Sequence, residues 1–164
     1  MTMKNILNIL KSDDITDIVQ IGLVSMKGNE IELINNNQVF FIAFNQCYVK
    51  IEAKDSLITV SKSDVIDYKE IPEIEDMPFY KNSIIKLLLV DDDASNRIEK
   101  IITFNEVDDL EKTITCEALL FQISNNQSLF FDASYYWGIN VGGDLQLQEW
   151  YKNQSQRSIC QNIY

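Results

Sequence analysis

The sequence predicts an α+β protein made mainly of antiparallel strands, arranged as a β-sandwich or half-barrel with a short N-terminal helix. Between Val19 and Phe131, apolar residues recur at every second position in short segments, the period of a strand with one buried face. Clusters of glycine, asparagine and aspartate separate these segments, as they do in antiparallel meanders. Before Asp17 the apolar period is that of a helix.

The individual elements follow from these two periods. Residues 1–17 are predicted to be helical, because the apolar side chains between Lys4 and Lys11 fall on one side of two helical turns. Cys47–Ala53 is the clearest strand, since its apolar side chains alternate with polar and charged ones. Further strands are predicted at Val19–Met26, Glu30–Ile34, Gln38–Phe44, Leu57–Ser61, Ser83–Val90, Arg97–Phe104, Thr113–Ile123 and Ser128–Phe131, with turns that include Asn35–Asn37 and Asp91–Asn96.

The remaining segments complete the predicted organisation. A chain of 164 residues is the usual length of a single domain, here residues 1–164. A short C-terminal helix capped by Asp144 is predicted, because Leu147, Trp150 and Tyr151 would share one of its faces. Residues 152–164 are polar and are expected to be a frayed tail. Residues 63–82 interrupt the strand pattern with two prolines and are expected to form a long loop.

Composition limits the classes of function. The chain has no histidine, the side chain that most often transfers protons near neutral pH. Its 25 acidic and 14 basic residues give a net charge of -11, which repels nucleic acid and anionic membranes and attracts cationic partners. Three cysteines without paired spacing predict free thiols in the cytoplasm rather than disulfides. No signal peptide and no apolar run of about 18 residues is recognised.

No motif supports catalysis or metal binding. The segment Leu87–Arg97 resembles the first strand and acidic pocket of a response-regulator receiver domain, but the strand and lysine that should follow are missing. As a calcium loop the same segment lacks its final glutamate, because Ile102 stands at that position. Ser83 and Lys86 would point to opposite faces of a strand. We therefore expect no catalytic residue, no metal site and no cofactor, and predict that the protein is not an enzyme.

Three consecutive aromatic residues, Tyr135-Tyr136-Trp137, are the strongest interaction signal. Successive residues of a strand point to opposite faces, so these three cannot all face one core. At least one should face a second layer, solvent or a partner, and tyrosine and tryptophan are favoured anchors of protein interfaces. A strand buried on both faces of a sandwich would account for them equally well.

The chain resembles bacterial immunity proteins of contact-dependent growth inhibition and related polymorphic toxin systems. The features in common are its acidity, the segment Phe131–Ile139 and the Glu149-Trp150-Tyr151 sequence. The resemblance implies a cytoplasmic protein that neutralises a cognate toxin domain, often a cationic nuclease, by tight association. One alternative is a ligand-binding β-barrel or sandwich with an aromatic-lined pocket. Another is an enzyme that uses carboxylates or tyrosines.

The partner-binding candidates are acidic loops and neighbouring aromatics. Carboxylates in loops stay solvated until a cationic partner arrives, and aromatics supply the desolvated contact area. The candidates are Glu73, Glu75, Asp76 and Tyr80 in the proline-bounded loop, Asp91, Asp92 and Asp93 in an acidic turn, and Tyr135 and Trp137 as anchors.

Overall fold

Antiparallel strands dominate the computed structural model, which describes residues 2–66, 78–89, 95–107 and 113–164. This confirms the predicted fold class, including a short helix near the N-terminus and another near the C-terminus. In chain order the elements are α1 (Met3–Ser12), β1 (Asp17–Lys27), β2 (Glu30–Ala43), β3 (Tyr48–Lys54), β4 (Leu57–Ser63), β5 (Phe79–Ser83), α2 (Ile85–Leu88), β6 (Ile98–Phe104), β7 (Ile114–Cys116), β8 (Ala118–Ile123), β9 (Ser128–Tyr135), β10 (Gly138–Gly142), α3 (Asp144–Asn153) and β11 (Gln161–Ile163).

The strands form two sheets. The first has the order β5-β1-β2-β3-β4-β7, and the second has the order β10-β9-β8-β6-β11. Neighbouring strands run antiparallel throughout both sheets. Within the described ranges, no helix has the length and apolar character needed to cross a membrane.

One core joins the inner faces of the two sheets. Phe40 of β2 meets Phe131 of β9 edge-on, with ring centroids 6.2 Å apart. Helix α1 adds Ile6 and Leu10, both fully buried in the same core. Burying a side chain of this size stabilises the fold by about 1.5–3 kcal/mol relative to leaving it in water. This shared core fixes the two sheets against each other.

A second, smaller core lies on the outer face of the second sheet and is covered by α3. Trp150 is 1% exposed and packs on Phe104 and Phe130, at ring-centroid distances of 4.9 and 5.9 Å. The helical face predicted from Leu147, Trp150 and Tyr151 therefore exists, and Trp150 is its buried member. Gly143 is the N-cap residue, and Asp144 is the first residue of the helix.

The two predicted strands Glu30–Ile34 and Gln38–Phe44 are one strand, β2, so the predicted turn at Asn35–Asn37 is wrong. Gln20 pairs with Phe40 while Gly22 pairs with Asn35, so several residues of β2 bulge opposite Ile21 alone. The amide of Gln38 donates to the side chain of Asn36 at 2.8 Å, the local bond that asparagine makes in turns. The turn-forming residues therefore produce a bulge within a continuous strand.

Two other strand predictions change at residues whose pattern was ambiguous. In the predicted strand Ser83–Val90, β5 ends at Ser83 and Ile85–Leu88 form a helical turn, because a short apolar run fits helix and strand alike. The predicted strand Thr113–Ile123 breaks at Glu117. Its first part, β7, pairs with β4 in the first sheet, whereas β8 pairs with β6 and β9 in the second.

The C-terminal tail is ordered by a strand pairing, so the prediction that residues 152–164 are frayed is wrong. β11 pairs with β6. The carboxylate of Glu106 accepts hydrogen bonds from the Tyr164 hydroxyl at 2.9 Å and from the Asn162 amide at 3.0 Å. Polar side chains that were expected to be solvated in a frayed tail are therefore hydrogen-bonded within the protein.

Candidate functional site

Among the residues that the structure describes, the most exposed large aromatics lie in the turn between β9 and β10, here named the aromatic tip (residues 135–138). Tyr136 is 88% exposed and Trp137 is 77% exposed, while Tyr135 is 44% exposed. The Tyr136 and Trp137 rings meet edge-on with centroids 5.0 Å apart. Covering large aromatic side chains with a partner stabilises a protein complex. Their exposure therefore marks this turn as a candidate contact surface.

A close backbone contact holds the aromatic tip against the first sheet. Gly138 has φ +113°, and a Cβ atom built there would come within 2.5 Å of the Asn37 carbonyl oxygen. Only glycine combines this backbone conformation with this approach. Asn37 lies in the β2 bulge, and its side chain accepts a hydrogen bond from Gln20 Nε2 at 2.6 Å. The tip is thus attached to the bulge of the opposite sheet.

Open clefts flank this contact. One, of about 210 Å³, lies between Asn37 and Asn140 and is lined by Tyr135 and Trp137. A second, of about 270 Å³, lies between Tyr136 and the β3–β4 turn at Lys54–Ser56. A third, of about 250 Å³, opens beside Gln20 and is lined by the apolar residues Phe40, Ile84, Leu87, Leu88, Ile139 and Val141 together with Asn37 and Asn140.

An exposed hairpin projects from the same bulge. We name residues 23–35, the distal part of β1 and β2, the arm. Cross-strand pairs place Met26 opposite Ile31 and Val24 opposite Leu33, which gives the arm one apolar face. Met26 is 66% exposed, Ile31 67% and Leu33 60%. The opposite face is mixed: it carries Lys27, Glu30 and Glu32 together with the apolar pair of Leu23 and Ile34. Sequence reasoning missed this surface, because alternating apolar residues predict a buried face whether or not anything covers it.

Tyr80 is built into the first sheet. Tyr80 of β5 pairs with Gly22 of the neighbouring strand β1. A Cβ atom on Gly22 would fall within 2.1 Å of the Tyr80 ring. Its hydroxyl donates to Asn35 Oδ1 at 2.5 Å. The ring therefore covers the glycine and joins β5 to β2. These contacts give Tyr80 a structural role at the base of the arm.

The predicted site residues are brought together in part. Tyr135 and Trp137 lie in the aromatic tip, and Tyr80 contacts Asn35 of β2, two residues before the Asn37 that holds the tip. The acidic candidates lie outside the described residues: Glu73, Glu75, Asp76, Asp91, Asp92 and Asp93.

Two observations describe the ionisable groups of the second sheet and its surroundings. In the part of the chain that the structure describes, no three histidine, cysteine, aspartate or glutamate side chains cluster as metal ligands. Burial raises the pKa of the Asp132 carboxyl, which accepts hydrogen bonds from the Ser134 amide at 2.8 Å and hydroxyl at 2.6 Å. These bonds partly offset the rise, and the charge of Glu117 adds to it. Asp132 is 1% exposed and lies in β9, so it cannot meet a substrate without rearrangement.

Comparisons with protein families, with curated proteins and with solved structures find nothing that matches this chain.

Proposed function

We propose that this protein is an immunity protein that binds and neutralises a cognate, cationic toxin domain. The observation that carries the proposal is the aromatic tip, where Tyr136 and Trp137 are almost fully solvated on a turn that Gly138 holds against Asn37. Tyrosine and tryptophan each have only two side-chain torsions to order, so they lose little conformational freedom when a partner covers them. They are therefore suited to anchor a tight interface.

The charge of the chain supports a basic partner. Segments 67–77, 90–94 and 108–112 together contain eleven of the 25 acidic residues and only two basic ones. They include the candidates Glu73, Glu75, Asp76 and Asp91–Asp93. A nuclease presents positive potential to phosphates, and an acidic protein competes for that surface and associates rapidly by electrostatic steering. In this proposal charge governs association, and the aromatic tip governs dissociation.

Inhibition by binding requires no catalytic group, no cofactor and no nucleic-acid or membrane partner. The protein would act in the cytoplasm, where thiols stay reduced. Cys47, Cys116 and Cys160 are free cysteines, which is compatible with that compartment. The proposal therefore includes the absence of intrinsic hydrolase or transferase activity. An activity abolished by one aspartate or tyrosine substitution that leaves folding intact would overturn this part of it.

The test uses the toxin domain that the proposal requires, the variable C-terminal domain of a secreted protein encoded immediately upstream. One equivalent of this protein should abolish the activity of that domain in vitro, and its expression should protect cells from the domain. The association rate should fall steeply as salt rises, because screening removes steering. Full toxin activity in the presence of excess protein would reject the proposal.

A second candidate function, binding of a small ligand, is favoured by the cleft that Tyr135 and Trp137 line. Its volume of about 210 Å³ is below the roughly 300–1,000 Å³ of typical ligand sites. It would hold at most a fragment stacked on an aromatic ring. A ligand that quenches Trp137 fluorescence and raises the melting temperature, in the absence of any protein partner, would favour this candidate over the immunity protein.

A further inference from the structure

The arm leaves one edge of β2 open. β2 pairs with β1 from Glu30 to Asn35, but its pairing with β3 begins only at Val39. Within residues 2–66, 78–89, 95–107 and 113–164, no strand pairs with the other edge of Glu30–Asn35. Each of these six residues is exposed. An exposed strand edge is a template for another strand.

The register shows which backbone groups face this edge. The amide of Val24 donates to the Pro78 carbonyl at 2.9 Å, so the backbone polar groups of Val24 point away from β2. In an antiparallel pair, the backbone N–H and C=O groups of two directly opposed residues either both point toward each other or both point away. Leu33, the partner of Val24, therefore turns its N–H and C=O toward the open edge. Ile31 and Asn35 do the same, because strand orientation repeats every two residues.

From Glu30 to Leu33 the side chains beside this edge alternate in chemistry. Ile31 and Leu33 lie on the apolar face of the arm, whereas Glu30 and Glu32 lie on the opposite face, which also carries Ile34. A strand added to the edge would place its alternate residues beside the same two faces. Lysine or arginine would then lie beside the glutamates, and apolar residues beside Ile31 and Leu33. A second copy of this chain would instead place its own glutamates beside these glutamates. Both copies would carry a net charge of -11, so they would repel each other.

We propose that the open edge of the arm receives an extended segment of the basic partner, in which lysine or arginine alternates with an apolar residue. The inference rests on the proposed function and names how the partner docks. The vacant position beside Glu30–Asn35 continues the line of β3, whose turn to β4 shares a cleft with Tyr136. A strand docked there ends at the aromatic tip, so both surfaces belong to one interface.

The test compares two substitutions at Leu33. Leu33→Pro removes the N–H that faces the open edge but none of the bonds between β1 and β2, and proline is tolerated on such an edge. Leu33→Thr removes the same apolar side chain and keeps the N–H, so it is the matched control. The probe is a capped synthetic peptide of about eight residues that alternates lysine with valine. A block peptide of the same composition controls for charge alone.

Binding is followed by backbone amide NMR and hydrogen exchange on the full chain. The alternating peptide should protect the amides of Ile31, Leu33 and Asn35 and should bind more tightly than the block peptide. Leu33→Pro should weaken binding by about fivefold relative to Leu33→Thr, since it removes a backbone hydrogen bond. Circular dichroism and the unchanged resonances of β3 and β4 establish that the variant is folded.

Three results would overturn the inference. They are absence of binding by the alternating peptide, equal binding by both Leu33 variants, and protection of the same amides by self-association in the absence of peptide. None of these rejects the immunity function, which is tested separately by toxin inhibition. Conversely, a protein that binds the peptide but leaves the toxin active keeps the docking edge and loses the proposed function.

Discussion

Glycines at two contacts determine how the candidate surface is held. Gly138→Ala should destabilise the protein for two reasons. The backbone at this position has a positive φ of +113°, and the new Cβ atom would lie 2.5 Å from the Asn37 carbonyl oxygen. We expect a loss of about 2 kcal/mol or more in the free energy of unfolding. Gly28→Ala is the control, since it also has positive φ but meets nothing within 4 Å. Urea unfolding of the two variants measures the difference, and equal losses would show that the tip contact contributes nothing.

Gly22 and Tyr80 should behave as a coupled pair. Gly22→Ala displaces the Tyr80 ring and with it the hydrogen bond to Asn35, so we expect a loss of about 1–3 kcal/mol. In a Tyr80→Ala background the same substitution should cost much less, because the obstructing ring is gone. A double-mutant cycle in urea measures the coupling. Additive losses would mean that the ring does not cover the glycine in solution.

Asp132 should make stability depend on pH. Burial raises its folded-state pKa above the unfolded value of about 3.8, so the folded state binds the proton more tightly. The stabilisation is complete below the unfolded pKa and is lost as pH rises through the raised folded pKa. Asp132→Asn removes this titration, so its stability relative to the wild type should rise with pH over that interval. A constant difference between the two proteins across a pH series of urea titrations would contradict the raised pKa.

At the level of elements, the C-terminal strand depends on one carboxylate. Glu106 accepts hydrogen bonds from Thr103, Asn162 and Tyr164, and burial together with this contact raises the pKa of Tyr164 to about 12. Glu106→Ala should loosen β11 while the rest of the fold persists. The amide of Tyr164, which donates to Ile101, should then lose protection from hydrogen exchange. Unchanged protection would show that backbone pairing alone holds the strand.

The sequence predicted the elements whose period is unambiguous and missed those that depend on distant contacts. The alternation around Ile51 predicted β3 because one face of that strand is buried. The three asparagines of β2 predicted a turn between two strands, whereas the structure has a bulge there, at which Asn35 pairs with Gly22 and Asn37 contacts Gly138. β11 was missed because its three residues are exposed and two of them, Gln161 and Asn162, are polar. Its pairing partner lies far away in sequence.

The candidate site shows the same division. Tyr135 and Trp137 were selected because three consecutive aromatics of a strand cannot share one core. Tyr136, which was not selected, is the most exposed of the three. The apolar face of the arm was missed, since the alternation of Met26, Ile31 and Leu33 is the same for covered and uncovered faces. Which of the two applies depends on the elements that pack on the face, and the alternation carries no information about them.

For the whole molecule, charge should act on the rate of association. Reversing Glu73, Glu75 and Asp76 to lysine changes the net charge from -11 to -5. The association rate with the toxin domain should fall, and its dependence on salt should become shallower. The dissociation rate should change little. Stopped-flow kinetics over a salt series would contradict this account if the reversal accelerated dissociation and left association unchanged.

The central claim is that the aromatic tip anchors the inhibitory complex, and the dissociation rate of that complex tests it most directly. Tyr136→Ala and Trp137→Ala should each speed dissociation from the toxin domain, by about thirtyfold for a hot spot of about 2 kcal/mol. Leu145→Ala is the control, because this side chain is also highly exposed but lies on α3, beyond the other end of β10. Its dissociation rate should equal that of the wild type. If the tip variants dissociate no faster than Leu145→Ala, the interface lies elsewhere and the claim is wrong.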